Sequence, residues 1–191
     1  MRGVAGLLCA GVILATTQAS ACFLESGLGG ELSTSDPLTI PVLAAARKAA
    51  ESGSLTSVDM RDRSRLSRIV ATLGYVPMLL DGARVDANRT RFAVLQAQTG
   101  YWTRYTVAGG VVRTEPHLRG PGEVEAVLVI ADAALIDVVL DGRSLEQLGN
   151  AGLVRARGEG AAQAVDAYTQ LLDQFSNTSF AQRLRALPPK I

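Results

Sequence analysis

The 191-residue chain carries 19 Lys and Arg against 18 Asp and Glu, a net charge of +1, with 48% hydrophobic residues and two cysteines. So even a balance excludes the basic excess of a nucleic-acid binder. A chain of this length buries about 70% of its unfolded surface without a metal or disulfide staple, and one domain is the natural count.

The first element is a leader. Arg2 gives a charged start, Val4 to Ala15 is an apolar run without a charge, and Ala19-Ser20-Ala21 supplies the small-x-small pattern a signal peptidase needs. The run is shorter than the roughly 20 apolar residues of a spanning helix. The most apolar later stretch, Val124 to Leu140, is broken by Glu125, Asp132 and Asp137. Residues 1–21 therefore read as a bacterial-type signal peptide, and the mature chain is expected in the periplasm or secreted, with no span of its own. Cleavage after Ala21 makes Cys22 the N-terminus. Cys22 is then either the first residue of a free protein or the acylated residue of a lipoprotein, which makes it the lipidation candidate and the one expected link to a membrane. Ala19 stands where a lipoprotein signal carries a large aliphatic residue. Cys9 leaves with the leader, so the mature chain has no intramolecular disulfide. Without Arg2 the 19 basic residues become 18, equal to the 18 acidic ones.

Residues 22–37 are rich in Gly and Ser and read as a flexible arm; residues 38–187 read as a single domain. Pro37 and Pro41 introduce an Ala-rich helix over about Pro41 to Ser52, with Leu38, Val42, Ala45 and Ala49 as its stripe, ended by Gly53. Thr56 or Ser57 caps a second helix, with Leu66, Ile69, Val70 and Leu73 at helical spacing. Arg61, Arg63, Arg65 and Arg68 decorate it, and Gly74 stops it. The period changes from about Val76. Phe92 to Ala97, Tyr101 to Val107, Val111 to Glu115 and Val124 to Ile130 read as strands, rich in β-branched and aromatic residues. Gly109-Gly110 reads as a tight hairpin turn and His117 to Gly122 as a loop. The run Val124 to Ile130 is apolar on both faces, as in a central strand covered on both sides.

Helical pattern returns in Ala131 to Leu140, stopped at Asp141-Gly142. Ser144 caps a short helix to about Leu148, and Leu153 to Arg157 is a last strand. A final helix presents Ala161, Val165, Tyr168, Leu172 and Phe175 at spacings of four and three. Grouped strands with segregated helices make the fold class α+β, a mixed or antiparallel sheet packed by helices.

No pattern declares a catalytic or metal chemistry. His117 is the one histidine, and an imidazole metal site usually needs two or three. No Gly-x-Ser-x-Gly elbow presents a serine. Cys22 lies in the arm, where nothing depresses its pKa. Gly27 to Gly30 and Gly120 to Gly122 do not sit between a strand and a helix as phosphate loops do. The arginine cluster reads as a solvated helix face with local ion pairs, or as a surface for anionic lipid. Asp132, Asp137 and Asp141 fall five and four apart, as capping residues or as paired carboxylates. Tyr101 and Tyr105 share one strand face and Trp102 takes the other, as core or as a cavity wall. No catalytic residue, cofactor or metal is assigned.

Four stretches resemble one known family. Gly100-Tyr101-Trp102-Thr103-Arg104-Tyr105 followed by Val107 to Val111 resembles its edge hairpin. Glu125 to Ile130 followed by Asp132 to Leu135 resembles its strand-to-helix step. Val139 to Ser144 resembles its helix-Gly-Lys/Arg turn, and Gly152 to Glu159 its last strand. The family is that of the sterol carrier protein 2 (SCP2-like) lipid-binding domains, and the likeness covers about Phe92 to Phe175. It implies SCP2-like topology and a non-catalytic module that holds an apolar or amphipathic small molecule in a cavity between sheet and helices. The positions it places there are Trp102, Leu128, Ile130, Leu135, Val139, Leu172 and Phe175. The alternative is a periplasmic accessory protein that uses the same scaffold to bind another exported protein.

Overall fold

The structure, a computed structural model, describes residues 36–55, 74–87 and 89–185, all within the compact unit Glu31–Ile191. The leader, Cys22 and the second predicted helix with its arginines lie outside the described residues. The elements in order are α1 (Thr39–Glu51), α2 (74–80), β1 (Arg89–Gln96), β2 (Trp102–Ala108), β3 (Val111–Leu118), β4 (Ala126–Ile130), α3 (Asp132–Asp141), α4 (Leu145–Asn150), β5 (Val154–Arg157), α5 (Ala161–Ser176) and α6 (Ser179–Arg185). The fold is α+β.

The sheet is mixed, with strand order β3-β2-β1-β4-β5. The β1–β2, β2–β3 and β4–β5 pairs are antiparallel, and β1–β4 is parallel. Gly109 and Gly110 take φ values of 57° and 74° between β2 and β3. Two successive positive φ values match the right-handed strand twist in a two-residue hairpin.

Because side chains alternate along strands, the register sorts the sheet into two faces. Phe92↔Tyr105, Phe92↔Ala126 and Val94↔Leu128 put Phe92, Tyr105, Leu128 and Ile130 on one face. There α5 covers β1, β4 and β5, and α3 packs against α5 and α6. Leu95↔Trp102 and Val127↔Arg157 put Ala93, Leu95, Trp102, Val127 and Arg157 on the other. Arg157 donates to Asp36 at 2.7 Å just ahead of α1, and α1 packs on β4 from that side with Val42, Ala46 and Ala49 buried. Every residue of β4 is consequently buried, each Val, Leu or Ile side chain contributing about 1.5–3 kcal/mol.

The structure departs from the sequence pattern in five places. The arm does not stay loose to residue 37, since Asp36 is buried against Arg157. Gly74 does not stop a helix: residues 74–80 are helical, and burial of Val76 and Leu80, one turn apart, outweighs the roughly 1 kcal/mol that Gly costs in a helix. The stripe of α5 is Ala164, Ala167, Tyr168, Leu171, Leu172 and Phe175, with Ala161 and Val165 only half-buried at its margin. A further short helix, α6, follows it. Finally, β3 runs through Pro116 and His117 to Leu118 instead of giving way to a loop. Its register shifts between Trp102↔Leu118 and Arg104↔Glu115, a bulge that holds exposed His117 at φ 59°, edge-on to Tyr101 at 5.2 Å.

The outer edge of β3 is not left bare. Gly82 N–H donates to Val112 O, Val112 N–H to Ala83 O and Val85 N–H to Gly110 O. Gln170 and Gln174 of α5 fix this strap from the other side, accepting from Asp86 N–H and donating to Arg84 O. Covering an edge in this way removes a template for unwanted strand pairing.

Candidate functional site

Six of the seven positions named for a ligand are buried on β4, α3 and α5, the elements of one side of the sheet. Leu128 and Ile130 face α5 from β4; Leu135 and Val139 lie on α3; Leu172 and Phe175 lie on α5. All six are at most 2% exposed. Trp102 is also buried but stands on the opposite face of the sheet, opposite Leu95, and the structure does not bring it together with the six.

The layer has a polar element that the sequence pattern did not single out as a pair. Tyr105 of β2 stacks on Phe92 of β1 at 5.0 Å, and both rings meet Tyr168 of α5 edge-on, at 5.6 and 6.3 Å. The two tyrosine hydroxyls are hydrogen-bonded to each other, and burial pushes both phenols well above their ordinary range. Two hydroxyls buried in an apolar layer are costly to leave unpaired, and each is the other's partner here. Alternation along β2 and helical spacing along α5 each mark one tyrosine as inward; nothing in either stretch shows that they meet.

Asp132 and Asp137 of α3 each take partners elsewhere in the fold. Asp132, the first residue of α3, accepts from the backbone N–H groups of Gln98 and Thr99 at 3.1 and 3.2 Å, and its own N–H donates to the Gln98 side chain. It locks the turn after β1 onto the start of α3. Burial raises its carboxyl to about 6, against hydrogen bonds from the Thr99 side chain and the two N–H groups, which pull it down. Asp137 instead pairs with Arg143 at 3.0 Å, and Arg143 also donates to Ser54 O beyond α1. Both carboxylates are spent on architecture. Among the described residues no group of three or more His, Cys, Asp or Glu could hold a metal ion, and no helix is long and apolar enough to cross a membrane.

A second feature lies at the amino ends of β1 and β4. A cleft of about 580 Å³ opens there, lined by Arg89 and Arg91 of β1, Thr106 and Gly109 of the hairpin, and Glu123 and Glu125 before β4. The size falls within the 300–1,000 Å³ of typical small-molecule pockets. Its walls mix these charged side chains with apolar ones, Val107, Ala108 and Val124, where the layer is apolar apart from its two tyrosines. The predicted strand began at Phe92, so Arg89-Thr90-Arg91 stood outside it; the alternation of those three residues was the one available sign.

No family profile and no curated protein matches the chain. Solved structures do. The sec-alkylsulfatase Pisa1 from Pseudomonas sp. is 12% identical with a TM-score of 0.33, over 46% of this chain and 12% of that one. This chain therefore spans only about an eighth of that enzyme's length. A crystal structure of sterol carrier protein 2 is 17% identical with a TM-score of 0.38, over 58% of this chain and 92% of that one. The ubiquinone synthesis protein UbiJ-SCP2 is 14% identical with a TM-score of 0.34, over 70% and 96%. Several of the similar structures are thus sterol carrier protein 2 domains, the family that the sequence resembles.

Proposed function

We propose that this chain is an exported, non-catalytic module that binds an apolar or amphipathic, lipid-like molecule in the layer between the sheet and helices α3 and α5. The observation that carries the reading is the burial of Leu128, Ile130, Leu135, Val139, Leu172 and Phe175 on three elements of one side of the sheet, with the Tyr105–Tyr168 pair as a polar point there. The resemblance in sequence favours the same ligand class. These side chains are buried, so entry of a ligand requires the layer to open.

Magnitudes set the ligand's size. A buried methylene contributes about 0.8 kcal/mol, micromolar affinity needs about 8 kcal/mol, and association costs about 4 kcal/mol or more. An acyl or isoprenoid chain of roughly 15 carbons is the shortest that burial alone holds. Native mass spectrometry after mild extraction, with calorimetry against fatty acids, phospholipids and isoprenoids, is the test. Bound long-chain lipid and no heat from short homologues are expected. Trp102 is screened from the layer by the sheet, so its emission stays unchanged as ligand enters. No adduct, no heat and no thermal shift across the panel overturns the reading and leaves a protein partner as the occupant to seek.

Export rests on Arg2, the apolar run and Ala19-Ser20-Ala21. The intact mass of the protein from its native host is expected to begin at Cys22, unmodified if free or carrying a diacylglyceryl group if anchored. A chain that retains Met1 overturns export.

A further inference from the structure

The charges at the amino end of the β1–β4 pair are left unspent. Arg89 and Arg91 lie two residues apart on one face of β1, about 7 Å along the strand, and both are exposed. Opposite them on β2 stand Ala108 and Thr106. Two long cationic side chains thus face two short ones, and this inequality leaves the shelf on which the cleft opens. Neither arginine makes an ion pair with any described residue.

A partner for Arg91 is close at hand. Glu125 N–H donates to Arg91 O at 2.8 Å, which makes the two residues cross-strand neighbours. Opposite charges so placed normally pair. The Glu125 carboxylate instead turns to the Thr90 hydroxyl and the Arg91 backbone N–H, each at 3.4 Å. The guanidinium is left without it. Glu123 lines the same cleft, exposed and without an ion pair among the described residues. The lining therefore presents two cations and two anions that do not neutralise each other by contact. A simple anion would be drawn by the arginines and repelled by the glutamates. A molecule that carries both signs meets both.

We propose that this cleft is a binding site for a small zwitterion, its phosphate or carboxylate held between Arg89 and Arg91 and its ammonium group facing Glu123. Guanidinium forks suit both oxyanions by charge-assisted, bidentate hydrogen bonds. The site is independent of the lipid layer. It lies at the opposite end of β1 and β4, about 16 Å along the strands from Ile130, and its arginines are on the other face of the sheet from Leu128.

Calorimetry on the full mature protein tests it with four probes: O-phosphoethanolamine and β-alanine as phosphate and carboxylate zwitterions, inorganic phosphate as the anion alone, and ethanolamine as the cation alone. At least one zwitterion is expected to bind about tenfold more tightly than either single-charge probe, a difference of about 1.4 kcal/mol. Arg89→Gln with Arg91→Gln, and separately Glu123→Gln, are each expected to weaken that zwitterion by about tenfold or more. Arg119→Gln, an exposed arginine outside the lining, leaves the affinity unchanged. All variants are checked for an unaltered thermal melt, so a loss reads as binding and not unfolding. Inorganic phosphate binding as tightly as the zwitterions overturns the proposal, as does zwitterion affinity that survives the double arginine substitution, or the absence of heat from every probe. Because the readout is a short polar ligand, failure here leaves the lipid reading standing, and failure of the lipid panel leaves this one standing.

Discussion

The two ends of the β1–β4 pair have been treated in opposite ways. At the carboxyl end the polar groups tie elements of the fold together. Asp132 gathers the N–H groups of Gln98 and Thr99, Gln98 returns the favour to the Asp132 N–H, and the chain turns from sheet into α3 around that knot. At the amino end Arg89 and Arg91 reach over small residues and pair with nothing described. Buried polar groups that are fully satisfied fix one conformation. Exposed charges that decline adjacent partners have no such role to explain them. The contrast separates a closed, architectural end from an open end available to a ligand, and it makes the stability of the two ends the way to test it.

The apolar layer beside the closed end should dominate stability. Phe175 is 1% exposed and meets Phe180 at 6.2 Å, so Phe175→Ala is expected to cost about 3–5 kcal/mol, against a total of about 5–15 kcal/mol for a domain. Asp166→Asn, on the exposed side of the same helix, should stay within about 0.5 kcal/mol. Urea melts of both compare them directly. Similar small losses would mean that α5 does not dock as described.

Next in size is Asp132, whose effect depends on pH. Its carboxyl titrates near 6 in the folded state, above its ordinary 3.8, because burial disfavours the charge. A raised folded-state value favours folding fully below 3.8, where both states are protonated, and that advantage is lost as pH rises through 6. A displacement of about two units corresponds to roughly 3 kcal/mol. The stability difference between the native protein and Asp132→Asn, measured by denaturant melts from pH 4 to 7.5, should therefore shift in favour of the variant as pH rises. A difference that stays flat across that window would place the carboxylate in contact with solvent. Asp132→Ala is expected to be destabilising throughout, by about 1 kcal/mol, since it leaves two part-buried donors without their acceptor.

Ser144 supplies a smaller effect at a site that was legible from the start. Its side chain accepts from Gln147 N–H while the Gln147 side chain accepts from Ser144 N–H, a complete capping box. Ser144→Ala should cost about 1 kcal/mol, read by the same melts; no loss would show that α4 is held by Leu145 and Leu148 alone.

What the sequence reveals and what it conceals divides along the same line. Local chemistry was readable. Ser144 announces its helix, Gly109-Gly110 its hairpin, and the unbroken apolar run of β4 its burial on both faces. Relations across distance were not. Asp132 and its partners Gln98 and Thr99 are separated by more than thirty residues, so nothing local distinguishes a knot from a helix cap. Trp102 looked equivalent to Leu128 until the register assigned them opposite faces. Gly74 reads as a stop because Gly disfavours helices, yet tertiary burial of Val76 and Leu80 overrides it. Arg89 and Arg91 look like any solvated strand face, and only the structure shows that Glu125 turns away from them. Gly158 is the converse case. A Cβ there would stand 2.2 Å from Glu125 O at a φ of 104°, so a residue that reads as a simple turn glycine is required by a close approach between β5 and β4.

The smallest expected effect is the one that decides the contrast. Replacing Arg89 and Arg91 together by Gln removes two charges from the open end while keeping most of the side-chain length. If those charges serve only a ligand, the double variant loses no ion pair and no buried contact, and its unfolding free energy should stay within about 0.5 kcal/mol of the native value. Like charges on one strand face repel, so a slight gain at low salt is the natural direction, fading as salt screens the pair over a Debye length of about 10 Å at 0.1 M. Urea melts at low and high salt measure both features. A loss above about 1 kcal/mol would mean that the arginines hold β1 against its neighbours. The amino end would then be architectural like the carboxyl end, and the difference between them would disappear.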